Sequence, residues 1–159
     1  MLISSSSLKA VLEFAGERHT LQPRMRIGSG YKAPRSRETR IVRDNSGHFR
    51  TSGSINGLPV SFLVDTGATS VAMSEPQAKR LGIQYELEGQ SIRTSTASGV
   101  AQAYLVQSRS VTVGSIRRSN VQGVVVKGNS PRQVLLGMSF LNGLEMSNQG
   151  NVMVLKEMR

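Results

Sequence analysis

From His48 to the C-terminus, apolar positions come in short β-branched runs separated by turn residues, a pattern of strands rather than helices. Thr51–Ile55 and Val60–Val64 flank Asn56-Gly57, a dipeptide suited to a two-residue primed turn because both positions need positive φ. Pro59 fits the start of an edge strand, where its missing N–H leaves no ladder bond unmade. Further strands are predicted at Gln90–Thr94, Gln102–Val106, Ser110–Val113, Val121–Val126 and Gln133–Leu136. A last one, Val152–Leu155, follows the turn signal Asn148-Gln149-Gly150. This spacing predicts a compact sheet or barrel. One helix interrupts it after Ser74, an N-cap whose capping box is completed by Gln77, with Pro76 in the permissive first turn. Lys79 and Arg80 suit its negative end, and Gly82 suits a left-handed stop. A second helical turn is expected at Met138–Asn142, ended by Gly143.

Before His48 the pattern weakens. Lys9–Phe14 and Arg18–Leu21 flank Ala15-Gly16-Glu17 and predict a small hairpin. Residues 24–47 mix Gly, Pro, Ser and Arg and read as a linker or surface arm. The expected organisation is a basic extension over 1–46 and one domain over 47–159. No run approaches the roughly 20 apolar residues of a membrane span. Met1–Ser7 lacks the apolar core of a signal peptide. Either the protein is cytoplasmic or the chain begins after its targeting segment.

Composition narrows the chemistry. A chain of 159 residues without cysteine has no thiol nucleophile, no Cys-based zinc site and no disulfide framework. Its two histidines, His19 and His48, offer little for a metal site, and no metal or cofactor is expected. The net charge is +10, of which +6 falls within residues 1–50. Such a balance permits contact with nucleic acid or an anionic surface. The arginines are scattered, however, and no aromatics interleave with them as a single-strand platform requires, so a solvated arm is the simpler reading.

The carboxylates are more telling. Only two of ten are aspartates, Asp44 and Asp65. The run Phe62-Leu63-Val64-Asp65-Thr66-Gly67-Ala68-Thr69-Ser70 drives an apolar strand straight into an aspartate and then turns on glycine. A carboxylate at the end of an apolar strand is costly unless hydrogen-bonded or partly protonated. Thr66 can tie the loop down with its hydroxyl, and Gly67 can bring a backbone N–H to the carboxylate. The tripeptide alone is equally an ordinary turn. Two further features accompany it. Gln133-Val134-Leu135-Leu136-Gly137 is a second apolar strand ending in glycine, and Thr94-Ser95-Thr96-Ala97-Ser98-Gly99-Val100 is a small-residue tip between two strand-like arms.

In this order the motifs resemble the retropepsin-like aspartic peptidases, single-domain relatives of pepsin and the retroviral proteases, and most closely their bacterial branch. The resemblance covers about residues 47–156. It implies a mainly β, closed-barrel acid-protease fold with one short helix and a flap hairpin. It also implies a catalytic Asp65, with Thr66 bonding across a two-fold axis, Gly67 supplying an N–H and Ala68 lining the cleft. Thr96, Ala97, Ser98 and Gly99 would form the flap, and Leu135, Leu136 and Gly137 would pack against the catalytic loop rather than touch substrate. Many bacterial relatives carry a membrane helix or export signal, suggesting the cell envelope or periplasm and membrane contact only through a missing anchor.

Aspartic peptide hydrolysis needs two carboxylates around one water. Asp44 sits in the polar run Arg43-Asp44-Asn45-Ser46-Gly47, with no apolar strand before it and no Thr-Gly after it, so it is a poor second member. The expectation is a homodimer pairing Asp65 with its own copy, acting on an extended peptide. A catalytically silent peptide-binding module of the same fold is the alternative. Ser70 and Ser139 lack a neighbouring base in sequence and are not expected to be nucleophiles. Met138, Met146 and Met153 read as core filling. Gly28-Ser29-Gly30 lacks the setting of a phosphate loop.

Overall fold

A computed structural model of the chain describes residues 2–6, 9–14, 17–21 and 35–158, which fall into two units, Met1–Arg35 and Ser36–Arg159. The first holds β1 (Leu2–Ser6), β2 (Lys9–Phe14) and β3 (Glu17–Leu21) in an antiparallel sheet of that order. The expected hairpin is β2–β3, with Phe14 opposite Glu17. Strand β1 was concealed by its serines, which carry no apolar alternation.

The second unit begins with β4 (Glu38–Val42), inside the stretch read as a linker. Within that stretch, residues 24–34 lie outside the described residues. Only Ile41 and Val42 mark β4 as apolar, yet Ile41 is buried and pairs with Met153. Thr39 fixes the strand further, since its Oγ1 donates to the Val113 carbonyl and accepts from the Ser115 N–H, both at 3.2 Å. The linker reading fails there because tertiary pairing, rather than local pattern, makes the strand.

Strands β5 (Arg50–Ile55) and β6 (Leu58–Val64) form the predicted hairpin, with φ of 51° at Asn56 and 83° at Gly57. Next come β7 (Val71–Ser74), α1 (Glu75–Arg80), α2 (Tyr85–Glu88), β8 (Gln90–Thr96), β9 (Gly99–Val113) and β10 (Ile116–Val126). The chain ends with β11 (Val134–Leu136), α3 (Met138–Leu141), β12 (Leu144–Gln149) and β13 (Val152–Glu157). The sheet runs β10-β7-β11-β6-β5-β9, and pairing of β9 with β10 closes six strands into a barrel. Strand β8 hangs from β9 as the other arm of a long hairpin. A smaller sheet, β12-β13-β4, accompanies the barrel. Among the described residues no helix is long and apolar enough to cross a membrane.

Three differences from the expected elements have local causes. Gln102–Val106 and Ser110–Val113 are one strand, because the polar residues between them stay in register with β10. Ser108 pairs with Val121, and the Gln107 side chain donates to the Asn120 carbonyl at 3.0 Å. Pro59 is not on an edge strand, since β6 lies between β5 and β11. It is tolerated because β11 reaches only from Phe62 to Val64, leaving that flank of Pro59 without a ladder partner. Met146 is 38% exposed on β12 rather than in the core, whereas Met153 is buried.

The barrel interior is filled by Ile55, Phe62, Met73, Ile116, Leu136 and Phe140, all fully enclosed. The chain approaches itself closely where β5 crosses this core. A Cβ on Gly53 would lie 2.2 Å from the Thr112 carbonyl oxygen and 2.8 Å from the Phe62 ring. Gly53→Ala is therefore expected to cost about 1–3 kcal/mol, read as a lower urea midpoint with unchanged m-value. An unchanged midpoint would contradict this packing.

Candidate active site

Strand β11 inserts between β6 and β7, parallel to β6 and antiparallel to β7, with Leu135 opposite both Leu63 and Ala72. The apolar runs Phe62–Val64 and Val134–Leu136 thus lie side by side, and both leave the barrel at the same end. The chain after β6 turns at Asp65, and the chain after β11 turns at Gly137. The Asp65 N–H donates to the Leu136 carbonyl at 3.1 Å, and the N–H groups of Met138 and Ser139 donate to the carbonyls of Ala68 and Thr69 at 2.8 and 3.0 Å. Gly137 has no room for a side chain: a Cβ there would lie 2.2 Å from the Ser70 carbonyl oxygen and 2.8 Å from that of Ala68. The glycine that ends Leu-Leu-Gly is required by this contact.

Ser139 ties the junction together. Its hydroxyl donates to the Gln122 carbonyl at 2.6 Å and accepts from the Val71 N–H at 2.9 Å, joining α3, β10 and the start of β7. Its role is structural, and sequence could not reveal it because both partners are backbone atoms far along the chain.

Asp65 is half-buried at the end of β6, and its Oδ1 accepts the Gly67 N–H at 2.9 Å. It lines a cleft of about 690 Å³. Gly67, Ala68 and Thr69 form the floor beside it, and Leu135 and Ala72 lie along the same side. Leu135 thus faces the cleft, whereas the resemblance implied that it would only back the catalytic loop; Leu136 is the buried neighbour. Thr66 is exposed at the edge of the loop.

The β8–β9 hairpin overhangs the cleft. Its tip turns at Ala97-Ser98, and Thr96 closes the turn by donating to the Gly99 carbonyl at 2.8 Å. Gly99 has φ of 123°, which an L side chain rarely adopts. Arg93, Thr94, Ser95, Thr96 and Ala97 line the cleft, whereas Ser98 and Gly99 at the exposed tip do not. Alternation along the hairpin leaves Ile92, Thr94 and Thr96 half-buried and Arg93 and Ser95 exposed. Val124 and Val126 form the far wall with Ser130 and Pro131 of the loop between β10 and β11. These wall residues were not singled out from sequence. Three successive valines at 124–126 conceal which face each occupies; the barrel puts Val125 in the main core and its neighbours in a cluster with Ala103 and Ile92.

The other aspartate is fully engaged elsewhere. Asp44 accepts the N–H groups of Ser46 and His48, both at 2.9 Å, and lies 2.8 Å from the Arg50 guanidinium. The His48 N–H chiefly, with the Ser46 N–H and the charge of Arg50, holds its carboxyl below the ordinary carboxylate range. Among the described residues no cluster of His, Cys, Asp and Glu is arranged to hold a metal.

Ser139→Ala is expected to lower stability by about 1–3 kcal/mol, because it strands the Val71 N–H in a part-buried place and removes the donor to the exposed Gln122 carbonyl. Chemical denaturation measures this, and a loss below a few tenths of a kcal/mol would show that the junction does not depend on the hydroxyl.

Residues 51–143 match the family model described as gag-polyprotein putative aspartyl protease. Over 101 residues the chain is 38% identical to an uncharacterized protein of a Sinorhizobium species and 34% identical to one of Rickettsia prowazekii, covering 64% of this chain each time. Each alignment spans 43% of the relative, so the chain matches less than half the length of these proteins. The crystal structure of a retropepsin-like aspartic protease from Rickettsia conorii superposes with a TM-score of 0.65 at 29% identity, covering 75% of this chain and 98% of that one. The closed six-stranded barrel and the Asp-Thr-Gly loop packed against Leu-Leu-Gly agree with that likeness, and the chain belongs to the retropepsin-like aspartic protease family.

Proposed function

We propose that the protein is an aspartic endopeptidase whose active site is completed by pairing two identical chains, with Asp65 of each supplying one carboxylate. The observation that carries this reading is the position of Asp65. It is the one aspartate among the described residues that lines the cleft, where the Gly67 N–H holds one of its oxygens and the apolar end of β6 lies behind it. Asp44, committed to its own turn, cannot be the second member without losing three partners. Family membership supports the protease role.

Two carboxylates about 3 Å apart share one proton, since both cannot ionise comfortably. The ionised member takes a proton from the bound water as the oxygen attacks the peptide carbonyl carbon. The protonated member donates to the carbonyl oxygen, giving a neutral tetrahedral diol. Collapse of the diol with proton delivery to the amide nitrogen breaks the C–N bond. Substrate would lie extended beneath the β8–β9 flap, adding a strand, with alternate side chains directed at the walls around Ala72, Val124 and Val126. Thr66, exposed on each loop, is available to bond across the two-fold axis, and flap closure around Gly99 would exclude water.

Asp65→Asn is expected to leave the fold intact and reduce cleavage of a peptide library by about 10²–10⁴-fold. The same library, incubated with and without a statine-type inhibitor, separates this enzyme from a contaminating peptidase. Undiminished cleavage by the variant removes the assignment. Peptide retained uncut by the wild type, at mildly acidic pH, would instead identify a binding module.

A further inference from the structure

The loop between β10 and β11 supplies Ser130 and Pro131 to the cleft but belongs to neither strand. It is held at both ends by α1. On one side, the Glu75 carboxylate accepts the Gly128 N–H at 2.9 Å through Oε2, while the Glu75 N–H reaches back to the Gly128 carbonyl at 3.3 Å. On the other side, the Gln77 side-chain amide donates to the Arg132 carbonyl at 2.7 Å. The same Gln77 side chain accepts the Ser74 N–H at 2.8 Å, so its rotamer is already fixed by the capping box. The second Glu75 oxygen accepts the Tyr85 hydroxyl at 3.2 Å, and the Tyr85 ring lies tilted against Tyr104 with centroids 5.2 Å apart.

We infer that Glu75 and Gln77 are positioning residues for peptide binding: they clamp the 127–133 loop at Gly128 and Arg132, and so set where Ser130 and Pro131 stand in the cleft. Neither side chain lines the cleft, so both act through the loop. Gly128 has φ of 92°, and a Cβ there would meet nothing within 4 Å. Its conformation is thus a matter of backbone freedom rather than crowding, and such a residue needs an external partner to stay in one place. The groups facing the Glu75 carboxylate are the Gly128 N–H, the Tyr85 hydroxyl and the ammonium groups of Lys79 and Lys127. The Gly128 N–H is the chief of these, and the carboxyl is held below its ordinary range. The clamp therefore persists at pH values where an unperturbed glutamate begins to protonate, and weakens as pH falls through that lowered value.

This inference rests on the peptidase reading for its kinetic consequence, but the clamp can be measured without catalysis. In the 159-residue chain, the Gly128 amide resonance should follow the Glu75 carboxyl on acid titration and lose that dependence in Glu75→Gln. An amide indifferent to both changes overturns the clamp, whether or not the protein cleaves anything. Against a peptide that the wild type cleaves, Glu75→Ala should raise KM about five- to tenfold with kcat changed less than twofold, because the wall binds ground state and transition state alike. Tyr85→Phe removes the other hydrogen bond to the same carboxylate while leaving Gly128 held, and its KM should stay within twofold of wild type. Equal KM increases in both variants would mark a general loss of stability and overturn the inference. An unchanged KM in Glu75→Ala would overturn it too. If the wild type cleaves nothing, the peptidase reading falls, and the Gly128 titration together with the affinity of Glu75→Ala for a statine-containing hexapeptide decides the clamp alone.

Discussion

The contact on which the site depends is the one between two backbone turns, Asp65–Ser70 and Gly137–Ser139. Gly137 touches the carbonyls of Ala68 and Ser70 more closely than any side chain permits, and the backbone hydrogen bonds from Met138 to Ala68, from Ser139 to Thr69 and from Asp65 to Leu136, with the serine bridge, lock the two turns together. That contact is possible only because β6 and β11 are parallel neighbours leaving the barrel at the same end. Parallel neighbours need a long crossover. The crossover here contains β7, α1, α2, the β8–β9 hairpin and β10, so everything that covers the cleft is built from the chain needed to bring β11 back beside β6.

The two aspartates show how environment divides a residue type by role. Asp44 sits in a turn whose own N–H groups and a neighbouring arginine satisfy it, and its charge serves to hold that turn. Asp65 has one oxygen held by Gly67 and lines an open cleft above an apolar strand. A carboxylate with one oxygen taken by two backbone N–H groups and the other paired with a guanidinium is committed to its own turn. One held on a single oxygen keeps its geometry and retains acceptor capacity on the other.

Most of the barrel strands and the Asp65–Ser70 loop were legible because each is written locally. Period-two apolar runs, Asn56-Gly57 and the Ser74–Gln77 capping box all declare themselves within a few residues. What escaped is written at a distance. Strand β4 has two apolar residues and exists because Ile41 and Thr39 find partners on β13 and at the β9–β10 turn. The short β7 was hidden between the Asp65–Ser70 loop and the helix cap. Ser139 looked like a serine without a base, which is correct as chemistry, while its structural use depends on backbone atoms of residues 71 and 122. The cleft walls were invisible for a related reason: alternation says that Val124 and Val126 share a face, but only the closure of the barrel says which face is the cleft.

A chain that contributes half of a symmetric site faces a positional demand that a two-lobed enzyme does not. Any displacement of a wall relative to Asp65 occurs twice, once in each copy, and both displacements bear on one substrate. Under the proposed pairing, the fold meets that demand by fixing its cleft elements to the barrel through backbone contacts rather than through long surface side chains. The floor is held by Gly137, and the far wall by barrel strand β10. The remaining wall, a loop with no strand pairing of its own, is the exception, and there two side chains of α1 provide what the ladder does not. The helix is six residues long and buries only Ala78. So short a helix contributes little to the core, which leaves the clamp as the more substantial physical reason for its place beside the loop.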